Sequence, residues 1–212
     1  MTEPRPTRPL RLHRHPRSGH SHRAQLMLSL LDLPHELVEV DLAKGAHKAP
    51  AFLALNPFGQ VPVLEHDDTR IADSNAILVY LAARWGAASW IPSDPPAAAA
   101  VQRWLSVAAG PLAYGPAAAR RANVFGGRPP DAELVARSHA LLGVMDAALA
   151  AQPYLATAEP SIADLANYTY VAHAPEGGVS LDDHPHVRAW LARIEALPGF
   201  VPMAVTSVGL RA

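Results

Sequence analysis

The sequence predicts a mixed α/β domain followed by an all-helical domain. Strand and helix periodicities alternate over the first 88 residues, a proline-rich stretch covers residues 91–96, and strand patterns are absent after it. We therefore expect a flexible lead-in at residues 1–9, an α/β domain at 10–88, a linker at 89–96 and a helical domain at 97–212.

The elements of the α/β domain follow from apolar spacing and from turn residues. We predict a strand at residues 10–15, a helix at 21–31, a strand at 37–42, a short helix at 49–55, a hairpin at 61–72 and a helix at 74–86. Ser74 is the expected N-cap of the last helix, because its hydroxyl can accept a bond from a first-turn N–H. The resulting order is βαβα followed by ββα.

The helical domain begins with an alanine-rich helix at residues 97–122, which the Gly-Gly-Arg-Pro-Pro stretch at 126–130 ends. A second helix is expected at 132–151. Ser161 and Asp164 have the spacing of a capping box, so we expect Asp164 to be a structural cap of the helix that follows. His184 and Pro185 introduce a last helix, which Pro198 and Gly199 end. Trp104 and Trp190 are expected in the core.

Composition excludes several classes of function. The formal net charge is −1, so no global field favours nucleic acid or an anionic membrane. No apolar run approaches the roughly 20 residues of a spanning helix, and the basic first residues lack the apolar core of a signal peptide. The chain has no cysteine, which excludes disulfides, thiolate ligands and a cysteine nucleophile. We expect a cytoplasmic protein without nucleic-acid or membrane partners.

Three short motifs stand in a fixed order along the α/β part. They are Pro-Arg-Ser-Gly at residues 16–19, Asn-Pro-Phe-Gly-Gln-Val-Pro-Val-Leu at 56–64 and Asp-Ser-Asn at 73–75. Residues 161–164 and 196–200 add support further along. With these motifs the chain, over about residues 10–205, resembles the cytosolic glutathione transferase family, and its first loop resembles a bacterial Ser-Gly-Asn type. The resemblance implies a thioredoxin-like N-terminal domain, a helical C-terminal domain that forms the co-substrate pocket, and a homodimer.

The resemblance also implies where the middle of glutathione binds. In the family the bond before the proline of this motif is cis, which here is Val61–Pro62. The N–H and C=O of Val61 then face outward and pair with the cysteinyl backbone of glutathione, as in strand addition. An ordinary trans proline is the alternative from the sequence alone. Gln60 and Lys48 are candidates for the glycyl end, although Lys48 could equally be a solvated surface charge.

Asp73 and Ser74 are the candidates for the γ-glutamyl end of glutathione. Ser74 at a helix start offers a hydroxyl and a backbone N–H to a carboxylate, with the helix dipole in support. Asp73 is then available to the ammonium group. The alternative is that one of these two residues is only an N-cap.

The thiol of glutathione must ionise near neutral pH, and the family uses a Tyr, Ser or Cys near the first strand for this. The chain has no Cys, and no Tyr occurs before Tyr80. Ser18 matches the serine position, where a hydroxyl beside a helix N-terminus would stabilise a thiolate. His20 stands where that type more often carries Asn. His20 could donate to the sulfur, act as a base or face solvent, and Ser18 could be an ordinary turn residue.

Two further sets of residues are candidates for binding. His13, His15, His20 and His22 form two HxH pairs, but no carboxylate cluster accompanies them, and we expect no metal. Tyr114, Arg120 and Arg121 are the candidates for the electrophile pocket, with Phe125 nearby. The two arginines would favour an anionic or carbonyl-bearing substrate. Interdomain or dimer contacts are the alternative role for these side chains.

The leading hypothesis is an enzyme that conjugates glutathione to a small hydrophobic electrophile in detoxification. Glutathione is the co-substrate, Val61, Asp73 and Ser74 hold it, and Ser18 tunes its thiol. One alternative is glutathione-dependent reduction of a disulfide or a peroxide. Another is a glutathione-binding stress or interaction protein without turnover.

Overall fold

The structure is a computed structural model that describes residues 4–210. Residues 1–3 of the predicted lead-in and residues 211–212 of the predicted helical domain lie outside it. The described chain divides into two compact units. The first comprises the residues up to 87 together with 198–203, and the second comprises 88–197 together with the residues from 204 onward.

The first unit is built on a four-stranded mixed sheet. Its elements are β1 (Leu10–Arg14), α1 (Gly19–Leu30), β2 (His35–Glu39), a 3₁₀ turn (Ala46–Lys48), α2 (Pro50–Leu53), β3 (Val63–His66), β4 (Thr69–Ala72) and α3 (Ser74–Trp85). The strand order is β2-β1-β3-β4. Strand β1 pairs with β2 in parallel and with β3 antiparallel, and β3 and β4 form the hairpin. The predicted element order is confirmed.

The core of this unit lies where the apolar spacing predicts it. Leu10 and Leu12 of β1 are fully buried, as are Ala24, Met27 and Leu28 of α1. These positions follow the period of two along the strand and of 3.6 along the helix. Residues 4 and 5 of the expected lead-in contact this unit: the Trp85 indole N–H donates to the Pro4 carbonyl at 3.1 Å, and Arg5 pairs with Asp32 at 2.7 Å.

The second unit is helical throughout the described residues. Its helices are α4 (Pro95–Ala109), α5 (Pro111–Tyr114), α6 (Pro116–Val124), α7 (Ala132–Ala151), α8 (Ile162–Ala172) and α9 (Pro185–Glu195), with a 3₁₀ turn at Ala174–Gly177. Every residue of α8 is buried, and α4 and α9 contribute the buried Trp104 and Trp190 expected in the core.

The single helix predicted at residues 97–122 is wrong, because the chain forms three helices there. Gly110 and Gly115 interrupt it, and each precedes a proline that starts the next helix. Proline lacks the N–H that a continuing helix needs, and it disfavours the helical conformation of the residue before it. Helix α4 begins at Pro95, inside the predicted linker, because the Asp94 carboxylate accepts the Ala97 N–H at 3.1 Å.

The capping prediction at α8 is confirmed. Asp164 is fully buried, and its carboxylate accepts the N–H and the hydroxyl of Ser161, the N–H of Leu155 and the indole N–H of Trp190, all at 2.9–3.1 Å. All four acceptor positions of the carboxylate are therefore used for structure.

Helix α7 departs from the expectation that no segment is long and apolar enough to span a bilayer. Within residues 4–210 it alone meets the length and the composition for a span. Length and composition alone do not distinguish such a segment from a helix of a globular protein.

Candidate functional site

Ser18 stands between the end of β1 and the start of α1, as its N-cap. Its backbone is extended, and its Oγ accepts the N–H of Ser21 at 3.2 Å. That bond satisfies one of the free N–H groups at the helix start. It uses a lone pair of the oxygen, so the hydroxyl hydrogen remains able to donate to a ligand. The side chain is half-buried.

The first turns of α1 and α3 are joined through Ser74. The Ser74 hydroxyl lies 3.3 Å from Nδ1 of His20 and accepts from Nη1 of Arg23 at 2.8 Å. The same Nη1 donates to Oδ1 of Asn75 at 2.7 Å. Ser74 is 3% exposed and Arg23 is 2% exposed, so a positive charge is fixed inside the unit beside a helix N-terminus.

Sequence reasoning missed Arg23 and Asn75. Arg23 follows His20 by one helical turn and directly precedes the buried Ala24, so an arginine next to the apolar face of α1 was the available signal. Its partners lie 51 and 52 residues further along, and a sequence pattern does not supply such a pairing.

Asp73, not Ser74, is the N-cap of α3, so the capping prediction for Ser74 is wrong. Oδ1 of Asp73 accepts the N–H groups of Asn75 at 2.9 Å and Ala76 at 3.0 Å. A carboxylate accepts two first-turn N–H groups here, and this frees the Ser74 hydroxyl for Arg23 and His20. Asp73 has φ 77° and is exposed. Such a conformation costs a non-glycine residue about 1–3 kcal/mol and is typical of functional sites.

The peptide bond between Val61 and Pro62 is cis, as the resemblance implies. Pro62 directly precedes β3, and the side chain of Val61 packs against a small buried cluster that contains Val40, Phe52 and Val63. Among the described residues the N–H and C=O of Val61 make no hydrogen bond. An extended peptide can therefore pair with them.

The loop before Val61 is held by two side chains. Nζ of Lys48 donates to the carbonyls of Phe58 at 3.1 Å and Gly59 at 3.0 Å, so Lys48 is more than a solvated charge. Nδ2 of Asn56, which sequence reasoning did not single out, donates to the carbonyl of Gln60 at 2.8 Å. The Gln60 side chain is exposed.

The four histidines of the HxH pairs face different partners. Nε2 of His13 pairs with Glu65 at 2.6 Å, and Nε2 of His22 pairs with the Val201 carbonyl at 2.8 Å. His20 contacts Ser74, and Nδ1 of His15 accepts the Arg17 N–H at 3.3 Å. Over the described ranges, no group of three or more His, Asp or Glu side chains has the arrangement of a metal site.

The three candidates for the electrophile pocket have different environments within the helical unit. Arg120 is 1% exposed and its Nε pairs with the buried Glu176, so its role as a substrate contact is corrected to a structural one. Tyr114 is 66% exposed at the end of α5. Arg121 is exposed and lines a cleft of about 680 Å³ at the end of α6, together with Phe125.

The family of the chain follows from comparisons with known proteins. The family model "Glutathione S-transferase, N-terminal domain" matches residues 17–84, and "Glutathione S-transferase, C-terminal domain" matches residues 108–198. The chain is 36% identical to glutathione S-transferase 3 of Zea mays, in an alignment that covers 91% of each protein.

Two solved structures are similar over the whole fold. A glutathione S-transferase of Pseudomonas fluorescens has a TM-score of 0.87 and 36% identity, over 92% of this chain and 99% of that one. A glutathione transferase homologue of Drosophila mojavensis, solved with bound glutathione, has a TM-score of 0.80 and 27% identity, over 90% of this chain and 89% of that one. The chain therefore belongs to the glutathione transferase family, with the thioredoxin-like N-terminal unit and the helical C-terminal unit of that fold.

Proposed function

We propose that this protein conjugates the thiol of glutathione to a small hydrophobic electrophile in the cytoplasm. The observation that carries the proposal is the convergence on Ser74 of a buried arginine, a histidine and a helix N-terminus, in the same unit as the open backbone of Val61. A carboxylate at one end and an extended peptide backbone in the middle are the recognition features of a γ-glutamyl tripeptide.

The γ-glutamyl carboxylate binds at the start of α3. The hydroxyl and the N–H of Ser74 donate to it, and the guanidinium of Arg23 adds positive charge behind the hydroxyl. One carboxylate oxygen of Asp73 caps the helix, and the other accepts from the ligand's ammonium group. His20 supports Ser74 from α1, so we assign it a positioning role at this end of glutathione.

The cysteinyl and glycyl parts bind along the loop that precedes β3. The N–H and C=O of Val61 pair with the cysteinyl backbone, and Pro62 keeps its missing donor away from that pairing. The ammonium group of Lys48 uses two of its three hydrogens on the loop carbonyls, so one hydrogen remains for the glycyl carboxylate. The exposed Gln60 side chain is a second contact at that end.

Ser18 lowers the pKa of the bound thiol. A free thiol has a pKa of about 8.5, and a hydroxyl donor at a helix N-terminus favours the charged form. The thiol proton leaves to solvent, the thiolate sulfur bonds to the electrophilic carbon, and the leaving group departs with the electron pair. Tyr114 and Arg121 of the helical unit contact the electrophile. We also propose a homodimer, which sedimentation velocity tests.

Two assays decide between this function and its alternatives. Retention on immobilised glutathione, with elution by free glutathione, is expected for the wild type and not for Ser74→Ala. A chlorinated dinitrobenzene should then be conjugated faster than hydroxyethyl disulfide is reduced. Faster disulfide reduction would favour a glutathione-dependent reductase, and retention without either turnover would favour a binding protein. Failure to bind glutathione would contradict the proposal as a whole.

A further inference from the structure

The tight turn between β1 and α1 runs from His15 to Ser18. The Ser18 N–H donates to the carbonyl of His15 at 3.0 Å, and Pro16 and Arg17 occupy the two central positions. Within the turn, Nδ1 of His15 accepts the Arg17 N–H at 3.3 Å. Asn and Asp side chains commonly accept such a bond from the N–H two residues further along. The imidazole of His15 therefore takes the place of an Asn or Asp side chain at the start of this turn.

A closed ring of hydrogen bonds joins the turn to the first turn of α1. Oγ of Ser21 accepts the His15 N–H at 3.2 Å, and the Ser21 N–H donates to Oγ of Ser18 at 3.2 Å. Ser21 is 1% exposed, so the ring is anchored inside the unit. The bond from the Ser18 N–H to His15 closes it. A change in the conformation of His15 and Arg17 is therefore expected to displace the hydroxyl of Ser18.

The bond from Arg17 requires a neutral His15. A backbone N–H only donates, so Nδ1 must offer a lone pair, whereas an imidazolium carries hydrogens on both ring nitrogens. The charged groups that face this half-buried ring are Arg14 of β1, Arg17 of the turn, Glu39 of β2 and Asp41 of the loop after β2. Burial, followed by the charge of Arg17, holds the pKa of His15 below its ordinary value. The neutral ring is thus the form that belongs to the closed turn.

We propose that neutral His15 positions Ser18 beside the thiol of glutathione, and that protonation of Nδ1 releases the turn. The inference rests on the proposed function and names a positioning residue for it. In a released turn the histidine has its ordinary pKa of 6.5, and in the closed turn its pKa is lower, so the closed fraction falls as pH drops below 6.5. The effect of Ser18 is then lost in acid, independently of the ionisation of the thiol itself.

The experiment follows conjugation of a chlorinated dinitrobenzene from about pH 5 to pH 8, a range that spans the ordinary pKa of histidine. Each kcat/KM for glutathione is divided by the uncatalysed rate at the same pH, which removes the ionisation of free glutathione. This ratio should fall below about pH 6.5 in the wild type. It should fall less in His15→Asn, because the amide oxygen can accept the Arg17 N–H and does not titrate. Circular dichroism at each pH identifies any loss of fold.

Two further variants complete the comparison. His15→Ala lacks the acceptor, so the ratio should be lower by about threefold to tenfold even at pH 8, and His15→Asn should restore most of it. The matched control is His35→Asn. Nδ1 of His35 donates to the Leu33 carbonyl at 2.8 Å, and protonation of that ring leaves the bond in place. This variant should keep the wild-type profile.

Wild-type activity of His15→Ala at pH 8, or the same acid fall in His15→Asn as in the wild type, would overturn the inference and leave the transferase function intact. If the wild type has no turnover and does not retain glutathione, the proposed function fails. Release of the turn is then judged from the amide proton resonance of Arg17. A change in its chemical shift between pH 7 and pH 5 that is absent from His15→Asn supports the release, and the same change in both proteins contradicts it.

Discussion

The hydroxyl of Ser74 has one hydrogen and two lone pairs, and its neighbours account for most of this capacity. Arg23 occupies one lone pair and His20 lies at hydrogen-bond distance from the same oxygen. When His20 donates from Nδ1, the second lone pair is filled and the hydroxyl hydrogen is directed to the ligand. Arg23 and a donating His20 together thus leave the hydroxyl hydrogen of Ser74 for the ligand.

Substitution of Arg23 by glutamine should weaken recognition of the γ-glutamyl group specifically. Hydrogen bonds to charged groups contribute about 1.5–3 kcal/mol, so we expect roughly a tenfold or greater loss of glutathione affinity. Cysteinylglycine lacks the γ-glutamyl group, and its affinity should change little. The measurement is the ratio of the two dissociation constants by calorimetric titration.

A double-mutant cycle with Ser74→Ala is the control for Arg23. If Arg23 acts through Ser74, its substitution should cost much less affinity in the Ser74→Ala background. An equal loss for glutathione and cysteinylglycine would indicate a general defect of the unit and would contradict the positioning role. Arg23→Lys keeps the charge and should restore part of the ratio.

At the scale of elements, the loop from Asn56 to Pro62 is the edge at which we propose that glutathione binds. Lys48 donates to two of its carbonyls from outside the loop, Asn56 donates to a third from the loop's own first residue, and Gly59 has φ +58°. A Cβ on Gly59 would lie 2.7 Å from the His47 carbonyl oxygen and 2.9 Å from Nζ of Lys48. The loop therefore needs glycine for its conformation and for its close packing.

Gly59→Ala should displace this edge and lower both stability and glutathione affinity. The control is Gly45→Ala, because Gly45 also has positive φ, +70°, but nothing lies within 4 Å of its added Cβ. Both variants carry the conformational cost of about 1 kcal/mol, and only Gly59→Ala carries the clash. Thermal unfolding and glutathione titration of the two proteins give the difference. Equal effects would indicate that close packing of the loop is unimportant.

At the scale of the whole molecule, stability depends on a buried polar network in the helical unit. Glu176 is fully buried, and it accepts from Arg120, from the Thr206 N–H at 2.6 Å and from Nδ1 of His173 at 3.1 Å. Burial alone would raise the pKa of Glu176, but the bonds from Thr206 and Arg120 hold it below the ordinary value. Burial lowers the pKa of His173.

Both shifts predict that the protein loses stability in acid. The unfolded chain protonates His173 near its ordinary pKa of 6.5, above the pKa in the folded state, so the free energy of unfolding falls as pH drops below that value. The stabilising contribution of Glu176 is lost at lower pH, below the ordinary glutamate pKa of 4.5. Burial raises the pKa of Asp164, so protonation of this group increases the free energy of unfolding as pH falls.

The His173→Asn variant isolates the histidine. Its thermal midpoint should fall less between pH 7 and pH 5 than that of the wild type, because no group at this position gains a proton. This range of about two pH units spans the ordinary pKa of histidine. The comparison concerns the slope of the thermal midpoint against pH, so a uniformly lower midpoint in the variant does not affect it. Identical slopes would show that His173 does not contribute to the acid sensitivity.

Local signals in the sequence were sufficient to predict much of the fold. Apolar periodicity predicts the strands and helices of the first unit, and Ser161 with Asp164 predicts the start of α8. The glycine–proline pairs at 110–111 and 115–116 are a local signal for the breaks between α4, α5 and α6, whereas the alanine content of the segment favours one continuous helix.

The contacts that the sequence does not predict are polar pairs between residues far apart along the chain. Arg23 donates to Ser74, which lies 51 residues further along the chain, and Arg120 pairs with Glu176, which lies 56 residues further along. An arginine that supports a site and an arginine that faces a substrate have the same appearance in a helical pattern. Only the three-dimensional partners separate Arg120, which is structural, from Arg121, which lines the cleft.

The ionisation of glutathione bound to the protein is the most direct test of the account. It is measured as thiolate absorbance in the ultraviolet against pH, for the wild type and for Ser18→Gly, because glycine is tolerated as an N-cap at a cost of only a few tenths of a kcal/mol. We predict a thiol pKa clearly below the free value of about 8.5 in the wild type, and a return towards it in the variant with affinity for glutathione retained. A wild-type thiol pKa equal to that of free glutathione, or the same lowered pKa in Ser18→Gly, would contradict the account.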